Sequence, residues 1–257
     1  MTFFILSFIV GALFMVMPFL ARRWLNRKFQ LPKGLFWKAG FASMFVGALH
    51  ITVLGNIEAV WPQLDQWPDL AQSAFLGLVS GLFLELGRYI TLDRFMRHVR
   101  NRPSALGFAC GWAGVPLFFL GILTVISVFG MQALVQVKDI PSSFPQADTQ
   151  QIQLLKDAQS QAQEYAQGNP LKALSPLFDN SALVLIDFAL TLFMVLGLRQ
   201  NQTRYAWAAV GIRTLTSGTI YFLAPMYNFS AEIASLVFAI SALIFIFRLK
   251  KLPAEPV

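Results

Sequence analysis

Cysteine is nearly absent from this chain of 257 residues: the single one, Cys110, excludes an intramolecular disulfide and a cysteine metal cluster. Charge is scarce as well. Only 13% of the residues are Asp, Glu, Lys or Arg, against 56% hydrophobic, and the mean hydropathy is +0.58. A chain this apolar has too little polar surface to cover a core in water, which excludes an ordinary soluble fold. The apolar stretches also lack period-two alternation. Backbone facing lipid must satisfy its own hydrogen bonds, so without the barrel pattern the helix remains. No basic residue precedes the first apolar run, the reverse of a signal peptide's leading region, so that run is expected to be retained. No repeat or low-complexity tract organises the chain.

What the sequence does hold is a series of apolar runs near 3–20, 36–60, 72–91, 104–130, 179–198, 206–225 and 229–247. Each is about as long as the roughly 20 residues that cross the hydrocarbon core as helix. They predict an all-α fold, a polytopic membrane helix bundle of about seven transmembrane helices, read as one transmembrane domain over 1–257. The runs at 36–60 and 104–130 exceed the bilayer's need and are expected to tilt or to emerge from it.

The basic residues give the orientation. Arg22, Arg23, Arg27, Lys28, Lys33 and Lys38 follow the first run, Arg94, Arg97, Arg100 and Arg102 the third, Arg199 and Arg204 the fifth, and Arg248, Lys250 and Lys251 the last. The alternate loops hold only Lys138, Lys156 and Lys172, while Arg88 and Arg213 fall inside runs. Fifteen of the 20 basic residues thus lie on one side, which predicts an outside N-terminus and a cytoplasmic C-terminus. The net charge of +7 is in this reading a topology signal, spread over four loops near the membrane plane. It implies membrane lipids as partners and no nucleic acid.

The longest outside segment, 131–178, contains ADTQQIQLLKDAQSQAQEYAQG, free of proline and ended by Gly168-Asn169-Pro170, which predicts a short extramembrane helix. A cap resting on the bundle through Ile152, Leu155, Ala158, Ala162 and Tyr165 is its simplest role; recognition of a partner or substrate is the other. Gly77-x-x-x-Gly81 and Gly107-x-x-x-Gly111, followed by Gly114, mark positions where helices can approach closely.

Ionisable residues within the runs are few: His50, Glu58, Glu85, Arg88, Asp187, Arg213 and Glu232. A charge at the bilayer centre costs about 2.5 to 3.5 kcal/mol on insertion scales, so each calls for a partner, a cavity or a route to the surface. Glu58 and Glu232 fall near the outer ends, where an interfacial carboxylate suffices. Glu85 and Arg88, three apart, share a helix face and can pair, although Arg88 could also snorkel to the nearby surface. A lone His50 reads as a hydrogen-bonded core residue. Asp187 and Arg213 lie deeper on adjacent helices of opposite direction and are expected to form a buried ion pair. Against this, side chains lean toward their own helix's N-terminus, which tips Asp187 outward and Arg213 inward.

The stretch AFLGLVSGLFLELGRYITLDRFMRH, followed by ALGFACGWAGVPLFFLGILTV, resembles the YhfC family of bacterial intramembrane proteases, relatives of the CAAX-processing and PrsW proteases. The strongest piece is SGLFLELGRY, and the resemblance is specific over about 75–125. It implies that the family's glutamate pair falls on Leu84 and Glu85 and its arginine on Arg88. The helix-4 histidine falls on Trp112, in CGWAGVP, and the glutamate after it on Pro116. The later histidines fall on Asp187 in LIDFALTLF and Arg213 in AAVGIRTLTSG, and His50 in GALHITVL stands as a retained histidine.

Peptide hydrolysis needs a group that activates water and a donor or metal that stabilises the oxyanion. Leu84 offers neither, Trp112 only an indole N–H, and Pro116 neither a carboxylate nor a backbone N–H. His98, the other histidine, lies in a basic loop. The resemblance therefore implies a catalytically inactive homologue, without metal or other cofactor, acting as a membrane scaffold, chaperone or binding subunit for another membrane protein in the bacterial cytoplasmic membrane. The superfamily contains a precedent in the non-cleaving seven-helix scaffold subunit of gamma-secretase. Two alternatives remain: an active protease with a non-standard site built on Glu85, Asp187 and His50, and a small-solute or ion transporter with Glu85, Arg88, Asp187 and Arg213 along its path.

The charge count generates a direct test. Cysteines introduced at 94–103 and 200–204 are expected to be shielded from an impermeant thiol reagent in intact cells, and one at 150 to label. Labelling of the first two groups would invert the topology.

Overall fold

In the computed structural model every described element is helical. The structure describes residues 1–144, 146, 148–224 and 230–248, without the side chains at 58, 65, 142, 247 and 248. The expectations on Glu58 and on the terminal basic group Arg248, Lys250 and Lys251 therefore lie outside the described residues. Eight principal helices follow one another: α1 (Thr2–Phe29), α2 (Leu35–Val60), α3 (Asp69–Phe95), α4 (Arg102–Gln136), α5 (Thr149–Gln167), α6 (Ser175–Arg199), α7 (Arg204–Leu223) and α8 (Ser230–Arg248).

Their boundaries follow local chemistry. α2 starts after Gly34, whose φ of 76° lies in the left-handed region that glycine enters without steric cost. α5 starts at a capping box, with the Asp148 carboxylate accepting from the Gln151 amide and the Gln151 side chain accepting from the Asp148 amide. α4, at 35 residues, is about 52 Å long by helical rise, well beyond a hydrocarbon core of about 30 Å.

Five helical stretches are long and apolar enough to cross a membrane: Thr2–Phe29, Leu35–Ile57, Asp69–Phe95, Arg102–Gln136 and Pro170–Arg199. The last two of the seven expected runs are also helical but fall short of that standard. α7 carries Arg204 and Arg213 among serines, threonines and glycines, and the apolar part of α8, Ser230–Ile246, is a shorter helix. Phe45, Ile51, Leu123 and Ile233 are each more than 60% exposed, an arrangement suited to lipid and unfavourable in water.

The described chain forms two compact units, Met1–Met17 with Leu117–Leu177, and Pro18–Pro116 with Phe178–Val257, where the sequence reading had one domain. The division falls at Pro18 in α1 and Pro116 in α4, residues that each remove an intrahelical hydrogen bond and crowd the preceding turn. In the first unit, α5 is the helix expected within 131–178. Ile152, Leu155, Ala158 and Ala162 share its covered face, Tyr165 stacks on Phe3 at 5.1 Å, and the Gln159 amide donates to the Leu134 and Val137 carbonyls at 2.9 and 2.6 Å.

In the second unit, α3 and α7 pack backbone against backbone. A Cβ on Gly77 would stand 2.6 Å from the Thr214 carbonyl oxygen and 2.7 Å from the Gly218 Cα, and one on Gly81 would stand 2.8 Å from the Val210 carbonyl oxygen. These are backbone atoms, which cannot swing away. Gly77→Ala is expected to cost about 1 to 3 kcal/mol through overpacking. Gly47→Ala, on an open face of α2, is expected to be neutral or stabilising by up to about 1 kcal/mol. Thermal unfolding of the two variants in detergent checks the difference; equal melting temperatures would mean that α3 and α7 are not packed this closely.

Candidate functional site: a buried charge network

α3 departs from α geometry on either side of its charged face. π-helical turns, Leu82–Leu86 and Thr91–Phe95, bracket one α turn, Gly87–Ile90. The Met96 amide donates to the Thr91 carbonyl five residues back, at 2.9 Å. Such turns are rare and recur at functional sites, since each inserts a residue into the α repeat and re-aims the side chains beside it. Here they bracket Arg88, and Glu85 sits within the first.

Arg88 is completely buried, as is Glu85. The Arg88 Nη1 lies 3.0 Å from the Glu85 Oε2, close enough for Coulomb attraction, but the pair is not aligned as a hydrogen bond. The other arm of Arg88 crosses to α6, where Nη2 donates to the Asp187 Oδ1 and Nη1 reaches the Asp187 carbonyl oxygen at 3.5 Å. From α7, the Arg213 Nη1 donates to the same Oδ1 at 3.3 Å. Asp187 thus joins two guanidiniums, and its backbone carbonyl also accepts from the Thr191 hydroxyl at 2.7 Å.

Two carboxylates and two guanidiniums give the cluster a formal charge of zero. Neutrality limits the cost of holding ions at this depth, because an isolated charge in low dielectric is far more expensive than a balanced set. The Trp112 ring lies below Arg88, with the guanidinium carbon 5.2 Å from its centroid, and is itself stacked on Phe108 at 5.4 Å. The indole offers a cation–π face to the arginine and closes that side with apolar volume.

A second polar chain runs beside the cluster. The His50 Nε2 is 2.9 Å from the Ser80 Oγ, which is 3.3 Å from the Tyr221 hydroxyl. His50 is therefore hydrogen-bonded, as expected of a solitary histidine in α2, but half-buried and not part of the core.

The structure brings Glu85, Arg88, Asp187, Arg213 and Trp112 together. The Asp187–Arg213 pair forms despite the opposing lean of the two side chains, because α6 and α7 place them at one level. Arg88 and Arg213 do not snorkel; both are buried. Leu84 and Pro116 take no part in the cluster's polar contacts. The sequence reading missed the reach of Arg88 to Asp187, which fuses two expected pairs into one network. It also missed Ser80 and Tyr221. Ser80 opens the SGLFLELGRY motif and offered a signal; Tyr221, 141 residues away, offered none.

Comparison with known families adds one finding: the model of the YhfC intramembrane metalloproteases matches residues 6–241. The chain belongs to the YhfC family. No curated protein and no solved structure matches it significantly.

The name of the YhfC family implies a metal ion, so the donor set can be tested against one. Catalytic zinc takes three protein ligands and leaves a position open for water. Among the described residues no three His, Cys, Asp or Glu side chains come together. Asp187 is bound by two guanidiniums, the imidazole of His50 by Ser80, and Cys110 is buried with its thiol 3.8 Å from the Pro18 carbonyl oxygen. A divalent cation beside Glu85 and Asp187 would meet Arg88 and Arg213, like charges a few ångströms away. The residues present do not fit a catalytic metal.

The network generates a stability prediction with a defined order. Asp187→Asn leaves the cluster at +1 and removes the anion that both arginines touch. Arg213→Met leaves it at −1 but keeps the Arg88–Asp187 contact. Each is expected to be destabilising, by about 3 to 5 kcal/mol for the first and less for the second. The double variant retains the neutral Glu85–Arg88 pair and is expected to recover much of the loss. Melting temperatures in one detergent check this, and strictly additive effects would contradict a shared network.

Proposed function

We propose that this YhfC-family chain does not hydrolyse peptide bonds and serves as a scaffold or binding subunit for another membrane protein. We place it in the bacterial cytoplasmic membrane, with seven spans, an outside N-terminus and a cytoplasmic C-terminus. The observation that carries the reading is the engagement of Asp187 by Arg88 and Arg213 beside Glu85, with Trp112 against Arg88.

Hydrolysis requires a base free to take a proton from water and donors aimed at the developing oxyanion. Two cations hold the Oδ1 of Asp187, so that oxygen is engaged where a base must be free. Glu85 is fully buried next to Arg88, and the Trp112 ring packs against that same arginine. The two guanidiniums could serve as oxyanion donors only by letting go of the carboxylate that neutralises them. The same features suit a rigid core, since a charge-balanced ionic network ties α3, α6 and α7 together.

Two measurements test the proposal. Reconstituted protein is expected to leave transmembrane peptide substrates intact, with or without added zinc, and Glu85→Gln to behave identically. In cells, deletion of the chain is expected to lower the abundance of the membrane protein it supports, and the Glu85→Gln variant, which leaves Arg88 short of one anion, to restore that abundance in proportion to the folded chain that remains. Cleavage by the native chain that Glu85→Gln abolishes at an equal level of folded protein would make the chain an enzyme.

A further inference from the structure

Remote from the charge network, a cavity of about 310 Å³ opens where α1 ends, the connection to α2 turns, and α4 begins. Arg22 and Asn26 line it four residues apart on one face of α1, and Gln30 and Lys33 line it from the connection. Phe36 and Gly107 close its floor. No carboxylate is among the lining residues.

Both cations are uncompensated. Among the described residues neither Arg22 nor Lys33 has a carboxylate or carbonyl partner. The Arg22 guanidinium is instead held over the Phe36 ring, 5.1 Å from its centroid, which fixes the group through its face and leaves its N–H fork unused. The connection is also shaped by unusual backbone, since Gln30 and Gly34 both have positive φ, at 51° and 76°. Gly34 has open space around it, so its conformation, not crowding, calls for glycine. Two free cations and two side-chain amides around a pocket form a recognition set for a phosphate ester.

The surroundings name the source of that phosphate. Leu20 and Trp24 are 58% and 60% exposed at the end of the apolar run; each lies two residues from Arg22 or Asn26, on the opposite face of α1, so they share the pocket's level along the helix and do not line it. A tryptophan exposed where an apolar run ends marks the membrane–water interface, so the cationic pocket at the same level of the helix lies at headgroup depth, where lipid phosphate is the abundant anion. We propose that this cavity binds the phosphodiester headgroup of an anionic phospholipid, with Arg22 and Lys33 as its charge partners and Asn26 and Gln30 as hydrogen-bond donors.

Native mass spectrometry of the full chain in neutral detergent, with equal amounts of phosphatidylglycerol and phosphatidylcholine of matched chains, tests the site. Retention of phosphatidylglycerol over phosphatidylcholine is expected, weakened about fivefold for each cation removed in Arg22→Gln and Lys33→Gln. Arg23→Gln and Arg27→Gln, equal in charge change but outside the lining, are expected to leave retention unchanged. Should the first pair of variants fold poorly, Asn26→Leu, which keeps both cations, is expected to lower retention by itself. Equal losses from both sets of variants, or no headgroup preference, would overturn the proposal. Displacement of the lipid by inorganic phosphate at comparable concentration would do the same, showing a site for free phosphate.

Discussion

Charge neutrality in a low-dielectric interior is the constraint on which the second unit depends. Arg88 has no water to solvate it, so the chain must bring anions to it, and it does so from its own helix with Glu85 and across the bundle with Asp187. Once Asp187 is committed there, Arg213 balances the remaining negative charge. Removing any one member leaves an ion without compensation, a far larger loss than the net worth of the assembled set. The cluster therefore acts as a lock more than as a source of stability.

The packing around it serves this geometry. Glycines at 77, 81 and 218 let α3 and α7 approach until backbone nearly touches backbone, which brings Arg213 within reach of Asp187. The two π turns set the phase of α3 beside Arg88. Trp112 supplies a π face where the resemblance places a histidine, filling the space with volume that binds the cation but cannot bind a metal. The substitutions are mutually consistent: an arginine held over an indole and a carboxylate held between two arginines leave little room for activated water.

Much of this was legible in the sequence. Continuous apolar runs marked the helices, since no other backbone satisfies itself in lipid, and the rarity of charge within those runs was enough to single out Glu85, Arg88, Asp187 and Arg213. The motif SGLFLELGRY pointed to the family that the comparison shows. The joining of the two pairs into one network was not legible, because it depends on the relative rotation of α3, α6 and α7, and on π turns that carry no sequence signature. The division at Pro18 and Pro116 was within reach, since an intrahelical proline is visible in any sequence, but the contacts that group α5 with the first half of α1 arise from residues far apart in the chain.

The central claim is that positive side chains stand where the rest of the YhfC family is named for a metal. Equilibrium dialysis of the purified full chain, freed of any affinity tag, against micromolar zinc with a parallel Asp187→Asn sample is the most direct test. No saturable zinc is expected in either sample. One zinc per chain, lost in the Asp187 variant, would contradict the claim.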